Sequence, residues 1–216
     1  MPEEGVIKFD LRFDSAAPVA LDQLCELNAW RTILHKLELI GQDPDRYGGY
    51  GFGNVSQRLD PLAAPRGHRQ FVISGTQTGQ LDVLGAAHYA TVKRYDPERN
   101  TVFAQGPVRP SSEALTHGMI YDLDPDIRAI LHVHAPDIWI SAPALGIPAT
   151  AAAVAYGTPA MAREVRHLFA ATDVRHKGIF TMGGHTDGVV SFGTSARQAG
   201  CVLLSALAAS YAPNMM

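Results

Sequence analysis

Two histidines one residue apart, in Ile130-Leu131-His132-Val133-His134, form the pair best suited to chemistry in this sequence. The aliphatic, β-branched surroundings read as a buried strand, and strand alternation sets both imidazoles on one face about 6.6 Å apart along the chain. Nitrogens so placed can converge on one divalent cation. Zinc binds them at about 2.0–2.1 Å, and a catalytic site takes a third protein ligand and keeps one position open. The competing reading has one imidazole bonded to backbone and the other facing solvent. Glu113 weighs for the metal. It stands in the first turn of the preceding helix, with His117 four residues later on the same face, and that helix runs almost directly into the histidine strand. A carboxylate favoured by the helix dipole is the other reading of Glu113, and it leaves proton transfer open.

The positioning elements follow from the residue pattern. Ile7, Phe9, Leu11 and Phe13 alternate with charged residues, so the N-terminus reads as a half-buried strand packed on the domain or on a neighbour. Apolar residues from Leu24 to Leu37 keep helical spacing between Leu21 and Ile40, with Gly41 as the C-terminal cap. Tyr47 to Gly53 is a glycine- and aromatic-rich loop whose backbone must approach something closely. Phe71 to Ser74 is a strand followed by a turn at Gly75-Thr76-Gln77-Thr78-Gly79, and Asp96 to Asn100 closes a hairpin. Ser111 or Ser112 caps a helix to about Tyr121. Ile127 to His134 is a strand, Pro136 to about Ala142 a short helix, and Thr158-Pro159 opens another. A glycine-broken strand pair spans Gly178 to Phe192, and Thr194 or Ser195 caps a last apolar helix to Ala209.

The 216 residues suit one large domain, and 46 % hydrophobic with 18 % charged residues is an ordinary globular balance. A net charge of −3 without a Lys/Arg run gives no footprint for nucleic acid. No run reaches the roughly 18 apolar residues of a membrane span, and the acidic start reads as no secretory leader. Cys25 and Cys201 form neither a CxxC pair nor a disulfide framework and read as buried small apolar side chains, which fits a reducing, cytoplasmic setting. Nucleophile-elbow, GxGxxG and GxxxxGK[ST] patterns are absent, so serine hydrolysis and nucleotide binding lack support. His35, His68, His88, His167 and His176 read as surface or satisfied core residues.

Taken in order, Gly53-Asn54-Val55-Ser56, Thr76-Gln77-Thr78-Gly79, Ser111-Ser112-Glu113 with His117 and Tyr121, and His132-Val133-His134 resemble the motifs of the class II aldolase/adducin family over roughly Leu21 to Ala209. The resemblance implies an α/β fold, a three-layer α/β/α domain around a mostly antiparallel sheet. It makes residues 1–216 one domain, with 1–20 an N-terminal strand extension. It also implies a cyclic homotetramer, a small-molecule substrate, and one divalent metal per subunit, zinc first with manganese or iron as alternatives. By the same resemblance His132 and His134 are metal ligands and Glu113 is the catalytic acid/base. Asn54, Thr78, Gly79, Ser111 and Ser112 hold a substrate phosphate. Backbone amides opened by glycine and hydroxyls at a helix N-terminus agree with an anion site, though turn and cap chemistry explains the same residues.

The chain departs from the family in three places. The third histidine of the family directly precedes a glycine, where Asp187 stands here, and His185 lies two residues earlier. In an extended segment both would share a face. His185 is the favoured ligand, because it keeps an all-imidazole set, with Asp187 as alternative ligand or its partner. The stretch from Ile147 to Tyr156 is shorter than in the aldolases, and little chain follows Tyr211. The sequence therefore supports a metal-dependent lyase with aldolase-type C–C cleavage or related enolate chemistry on a small hydroxy-carbonyl compound. The alternatives are an adducin-like interaction module without catalysis, or a metal-dependent decarboxylase, epimerase or hydrolase.

Overall fold

A computed structural model describes residues 6–212. In chain order it contains β1 (Asp10–Ser15), α1 (Cys25–Lys36), β2 (Gly41–Gln42), β3 (Gly51–Phe52), β4 (Asn54–Arg58), β5 (Phe71–Ser74), β6 (Tyr89–Asp96), β7 (Thr101–Gly106) and α2 (Ala114–Leu123). There follow β8 (Ala129–His134), α3 (Pro136–Ser141), α4 (Pro159–Ala171), α5 (Val174–Lys177), β9 (Ile179–Thr181), β10 (Gly188–Gly193) and α6 (Ala196–Tyr211). Eight strands make one sheet in the order β1-β7-β6-β5-β4-β8-β10-β9, and β2 with β3 forms a separate small ladder. Every neighbouring pair in the large sheet is antiparallel except β1 with β7.

Strand alternation divides the apolar side chains into two cores. Val55, Val72, Leu131, Val133 and Val189 pack with Leu27, Leu34, Ile138 and Leu203, so α1, α3 and α6 cover one face. Phe71, Ile73, Ile130, Val190 and Phe192 meet Ile120, Val165 and Leu168, so α2 and α4 cover the other. The result is the three-layer α/β/α arrangement with a mostly antiparallel centre.

Several elements differ from the sequence reading. Residues 1–5 of the N-terminal extension lie outside the described residues. Its strand starts at Asp10 and pairs in parallel with β7, Asp10 beside Thr101 through Ser15 beside Gly106, and Ile7, Leu11 and Phe13 lean on the chain's own core. Of the helix expected over Leu21–Ile40, only Cys25–Lys36 is α-helical, and a 3₁₀ turn at Leu21–Leu24 precedes it. Gly41 is no cap: Glu38 takes the left-handed backbone (φ 58°), and the Leu39 amide returns to the Leu34 carbonyl at 3.0 Å. Leu37 keeps helical spacing yet is 46 % exposed. Cys25 and Cys201 are both exposed, not buried, because they sit on the outer faces of α1 and α6. Folding also gathers Arg12, Arg66, Arg94, Arg166 and Arg175 around one cleft by the β6–β7 edge. Carboxylates pair with three of them, Asp10, Glu98 and Asp124, so the cleft is no bare basic stripe.

Candidate metal and substrate site

The central strands carry the site. In β8, His132 lies opposite Asn54 of β4 and Val190 of β10, and His134 lies opposite Gly188. Both imidazoles share the face of Ile130, toward α2. His185 joins them from the connection between β9 and β10. The three are 1 %, 0 % and 4 % exposed, and one ligand atom from each lies within 4.8 Å of the others. Tetrahedral ligands at zinc–nitrogen distance stand about 3.4 Å apart, so small side-chain shifts would close this triangle on a cation.

Protonation chemistry fits a cation too. Burial, then the charges of His185 and His132, push His134 well below the usual imidazole range. As a neutral base at this depth, His134 can present a lone pair to a cation. His132 Nδ1 lies 3.2 Å from the Val189 carbonyl, a contact that orients the ring with Nε2 facing inward.

Glu113 occupies the N-cap of α2, and its carboxylate enters the same cluster. Oε2 is 2.8 Å from His132 Nε2, Oε1 is 3.4 Å from His185 Nδ1, and Asn54 Nδ2 donates to Oε2 at 2.9 Å. Burial alone would raise this carboxyl, but the charges and hydrogen bonds of His132 and His185 hold it well below the usual carboxylate range. One turn on, His117 stands behind Glu113 and is no member of the converging triad. Its Nδ1 lies 2.7 Å from Ser56 Oγ, which also lies 2.7 Å from the Tyr121 hydroxyl. Burial pushes His117 down to about 3, so it is neutral at ordinary pH.

The segment around His185 is a turn, not the extended run the sequence suggested, so His185 and Asp187 do not share a face. A side chain on Gly184 would meet the Val154 carbonyl at 2.0 Å, and Asp187 sits at φ 62°. The turn sends His185 into the histidine cluster. Asp187 Oδ2 instead accepts a 2.6 Å hydrogen bond from Tyr47, whose ring stands edge-on to His134 at 4.4 Å. Burial, then that bond to Asp187, raises the Tyr47 hydroxyl, so it stays a proton donor. Tyr156 stacks on His185 with centroids 4.4 Å apart, and Lys8 Nζ lies 3.5 Å over the Tyr156 ring. Sequence reasoning assigned no role to Tyr47, Tyr156 or Lys8. Only the aromatic, glycine-rich composition around Tyr47 hinted at a close approach.

Beside the carboxylate, Asn54, Thr76, Thr78, Gly79, Ser111 and Ser112 line a small polar cup. All five residues expected to hold an anion are in it. Turn chemistry is present as well: Thr78 Oγ1 donates to the Gly75 carbonyl at 2.8 Å, and the Glu113 amide donates to Ser111 Oγ at 3.3 Å. Those bonds shape the cup and leave backbone amides for a ligand. Among the described residues, the amides of Gln77 and Gly79 donate to no backbone carbonyl. At Gly79 a Cβ would lie 2.2 Å from the Gly41 carbonyl, so no side chain fits between the loops.

Comparison with known proteins gives one consistent neighbourhood. Residues 45–204 match the family model described as Class II Aldolase and Adducin N-terminal domain. A methylthioribulose-1-phosphate dehydratase from Hahella chejuensis (strain KCTC 2396) is 29 % identical over 111 residues, a match spanning 47 % of this chain and 47 % of that one. The chain thus matches about half the length of this curated relative. In fold it is similar to a sugar-phosphate aldolase from Thermotoga maritima, with TM-score 0.64 and 17 % identity over 88 % of this chain and 92 % of that one. An L-fuculose-1-phosphate aldolase from Thermus thermophilus is similar at TM-score 0.61 and 15 % identity, with the same coverage of each chain.

Proposed function

This chain belongs to the class II aldolase and adducin family, and on that premise we propose that it is a metal-dependent lyase acting on a small phosphorylated hydroxy-carbonyl compound. The observation that carries the reading is the ionised Glu113 carboxylate held against His132 and His185 at the mouth of the anion cup. An interaction module has no physical use for such a cluster, because each buried ionisable group costs desolvation. His132, His134 and His185 would hold the cation, zinc before manganese or iron. When bound, the cation supplies Lewis-acid stabilisation of negative charge on a substrate carbonyl oxygen.

The chain's own groups do the remainder. Backbone amides of the cup and the hydroxyls of Ser111 and Ser112 fix the phosphate and so place the reacting carbons over the histidines. Glu113 takes a proton from the substrate and returns it to the product, with Asn54 fixing which oxygen faces the reacting atoms. Neutral His117 backs that arrangement without adding a competing charge. Cleavage of a C–C bond beside the carbonyl is the principal reading. Loss of water across the same carbons is the second, favoured by the dehydratase relative. A cyclic homotetramer in the cytoplasm completes the proposal.

The test is a panel of ketose phosphates, each with its unphosphorylated counterpart, offered to protein of measured metal content. Expected is a stoichiometric divalent metal and turnover of phosphorylated compounds only, with products read by mass as two fragments or as loss of water. A protein that purifies gently without metal and turns over none of the panel would overturn the enzymatic reading and favour the interaction module.

A further inference from the structure

The cup is supported from beneath by a charge that no ligand would touch. Arg31 lies on the buried face of α1 and is 1 % exposed. A guanidinium at that depth must be hydrogen-bonded, and its usual partner is a carboxylate. Here the partners are main-chain carbonyls. Nη2 donates to Thr78 and Gly79, both at 3.1 Å, while Nη1 donates to Asp82 at 3.0 Å and to Leu81. Among the described residues no ion pair involves Arg31, and the Asp82 carboxylate is 91 % exposed and turned toward His35.

The peptide plane converts that grip into a direction. Across a trans peptide the carbonyl and the next amide point opposite ways. With the Thr78 carbonyl drawn to Arg31, the Gly79 N–H is turned from the guanidinium. The Gly79 nitrogen lies 3.4 Å from where a Cβ on Gly51 would stand, and Gly51 lines the cup. The carbonyls bound to a full positive charge are polarised, which strengthens their amides as donors. With no carboxylate in contact, the guanidinium charge also adds to the field inside the cup.

We propose that Arg31 is the positioning residue of the anion cup: its hold on four carbonyls of residues 78–82 fixes the loop with the Gly79 amide turned toward a substrate phosphate, and its charge supplies part of the attraction from below. This rests on the phosphate reading of the cup given above. It also explains why a charged side chain stands on the core-facing side of α1, where burial lowers its proton affinity and an apolar residue would pack more cheaply.

The test uses the metal-loaded protein with inorganic phosphate as probe. Affinity is measured by calorimetry, and the Gly79 amide is followed by its ¹⁵N–¹H resonance. Arg31→Lys keeps the charge but not the planar fork, and Arg31→Gln removes the charge. Expected is a phosphate-dependent shift of the Gly79 resonance in the wild type. Both variants should bind phosphate at least about tenfold more weakly, as loss of an outer-shell partner typically does, with metal content unchanged. Phosphate affinity within about twofold of wild type in both variants, with the Gly79 shift intact, would overturn the role of Arg31 and leave the cup standing. A wild type that ignores millimolar phosphate would overturn cup and inference together. Should both variants fail to fold, the wild type decides through the Arg31 side chain: a phosphate-dependent shift of its guanidinium ¹⁵N resonances together with Gly79 supports the proposal, and guanidinium resonances unmoved by phosphate overturn it.

Discussion

Glu113→Gln is the most direct challenge to the proposed chemistry. The substitution keeps the shape of the side chain, and the carbonyl oxygen of glutamine can still accept from Asn54 Nδ2, now 2.9 Å from Oε2. It removes the charge and the proton-accepting capacity. Positioned acid–base groups contribute about 10²–10⁴-fold, which corresponds to about 2.7–5.4 kcal/mol on the barrier. The carboxylate is buried and held ionised against two imidazoles, so solvent has little room to stand in for it, and the upper half of that range is expected. The three histidines are untouched, so metal content should stay at the wild-type value, and kcat should fall with KM nearly constant. Asn54→Ala should cost less alone and almost nothing further in the Glu113→Gln background, because the two groups act as one unit. Steady-state kinetics beside elemental analysis of the same sample is the assay. Turnover within about threefold of wild type would remove Glu113 from proton transfer, and loss of metal would make it a required ligand instead.

His185→Ala should strip the metal, whereas Asp187→Asn should keep it with affinity about 10–100-fold weaker, since asparagine accepts the left-handed backbone found there and still bonds to Tyr47. Metal retained in the first variant and lost in the second would reverse the ligand assignment. His117 titrates near 6.5 when unfolded and at about 3 in the fold, so the unfolded chain binds the extra proton between those values. Its contribution is complete above pH 6.5 and declines as pH falls toward 3, by at most about 1.4 kcal/mol per pH unit. Denaturation of metal-stripped protein should therefore show a shallower loss of stability between pH 6 and 4 in His117→Asn, and an unchanged slope would refute the burial argument.

What was legible in the sequence is what short-range geometry dictates. The His132–His134 pair follows from strand period alone. Thr158 and Ser195 cap their helices through hydroxyls that accept from amides three residues on. The placement of Glu113 at the head of α2 is equally local. Long-range partners were not legible: Tyr47 meets Asp187 across 140 residues, Lys8 meets the Tyr156 backbone across 148, and Arg31 reaches Leu81 across 50. Nothing near Tyr156 in sequence says that its ring will lie on His185. The misread turn has the same origin. Gly183-Gly184 permits an extended or a folded path, and the Thr150 and Val154 carbonyls, too close for any side chain there, make the choice.

The two halves of the site consequently hang on different supports. The proposed metal set is fixed by the β4–β8–β10 register and by the Gly183–Asp187 turn, which Tyr156 presses from one side. The anion cup is fixed by the loop after β5, and that loop is tied through Arg31 to α1 on the opposite face of the sheet. Little is shared between them except Asn54 and Glu113, whose hydrogen bond bridges cup and histidines. Metal affinity and anion affinity should then vary independently in variants of either support, and their effects on turnover should meet at Asn54 and Glu113. That pattern separates a site built for one phosphorylated substrate over one cation from two unrelated binding features that happen to adjoin.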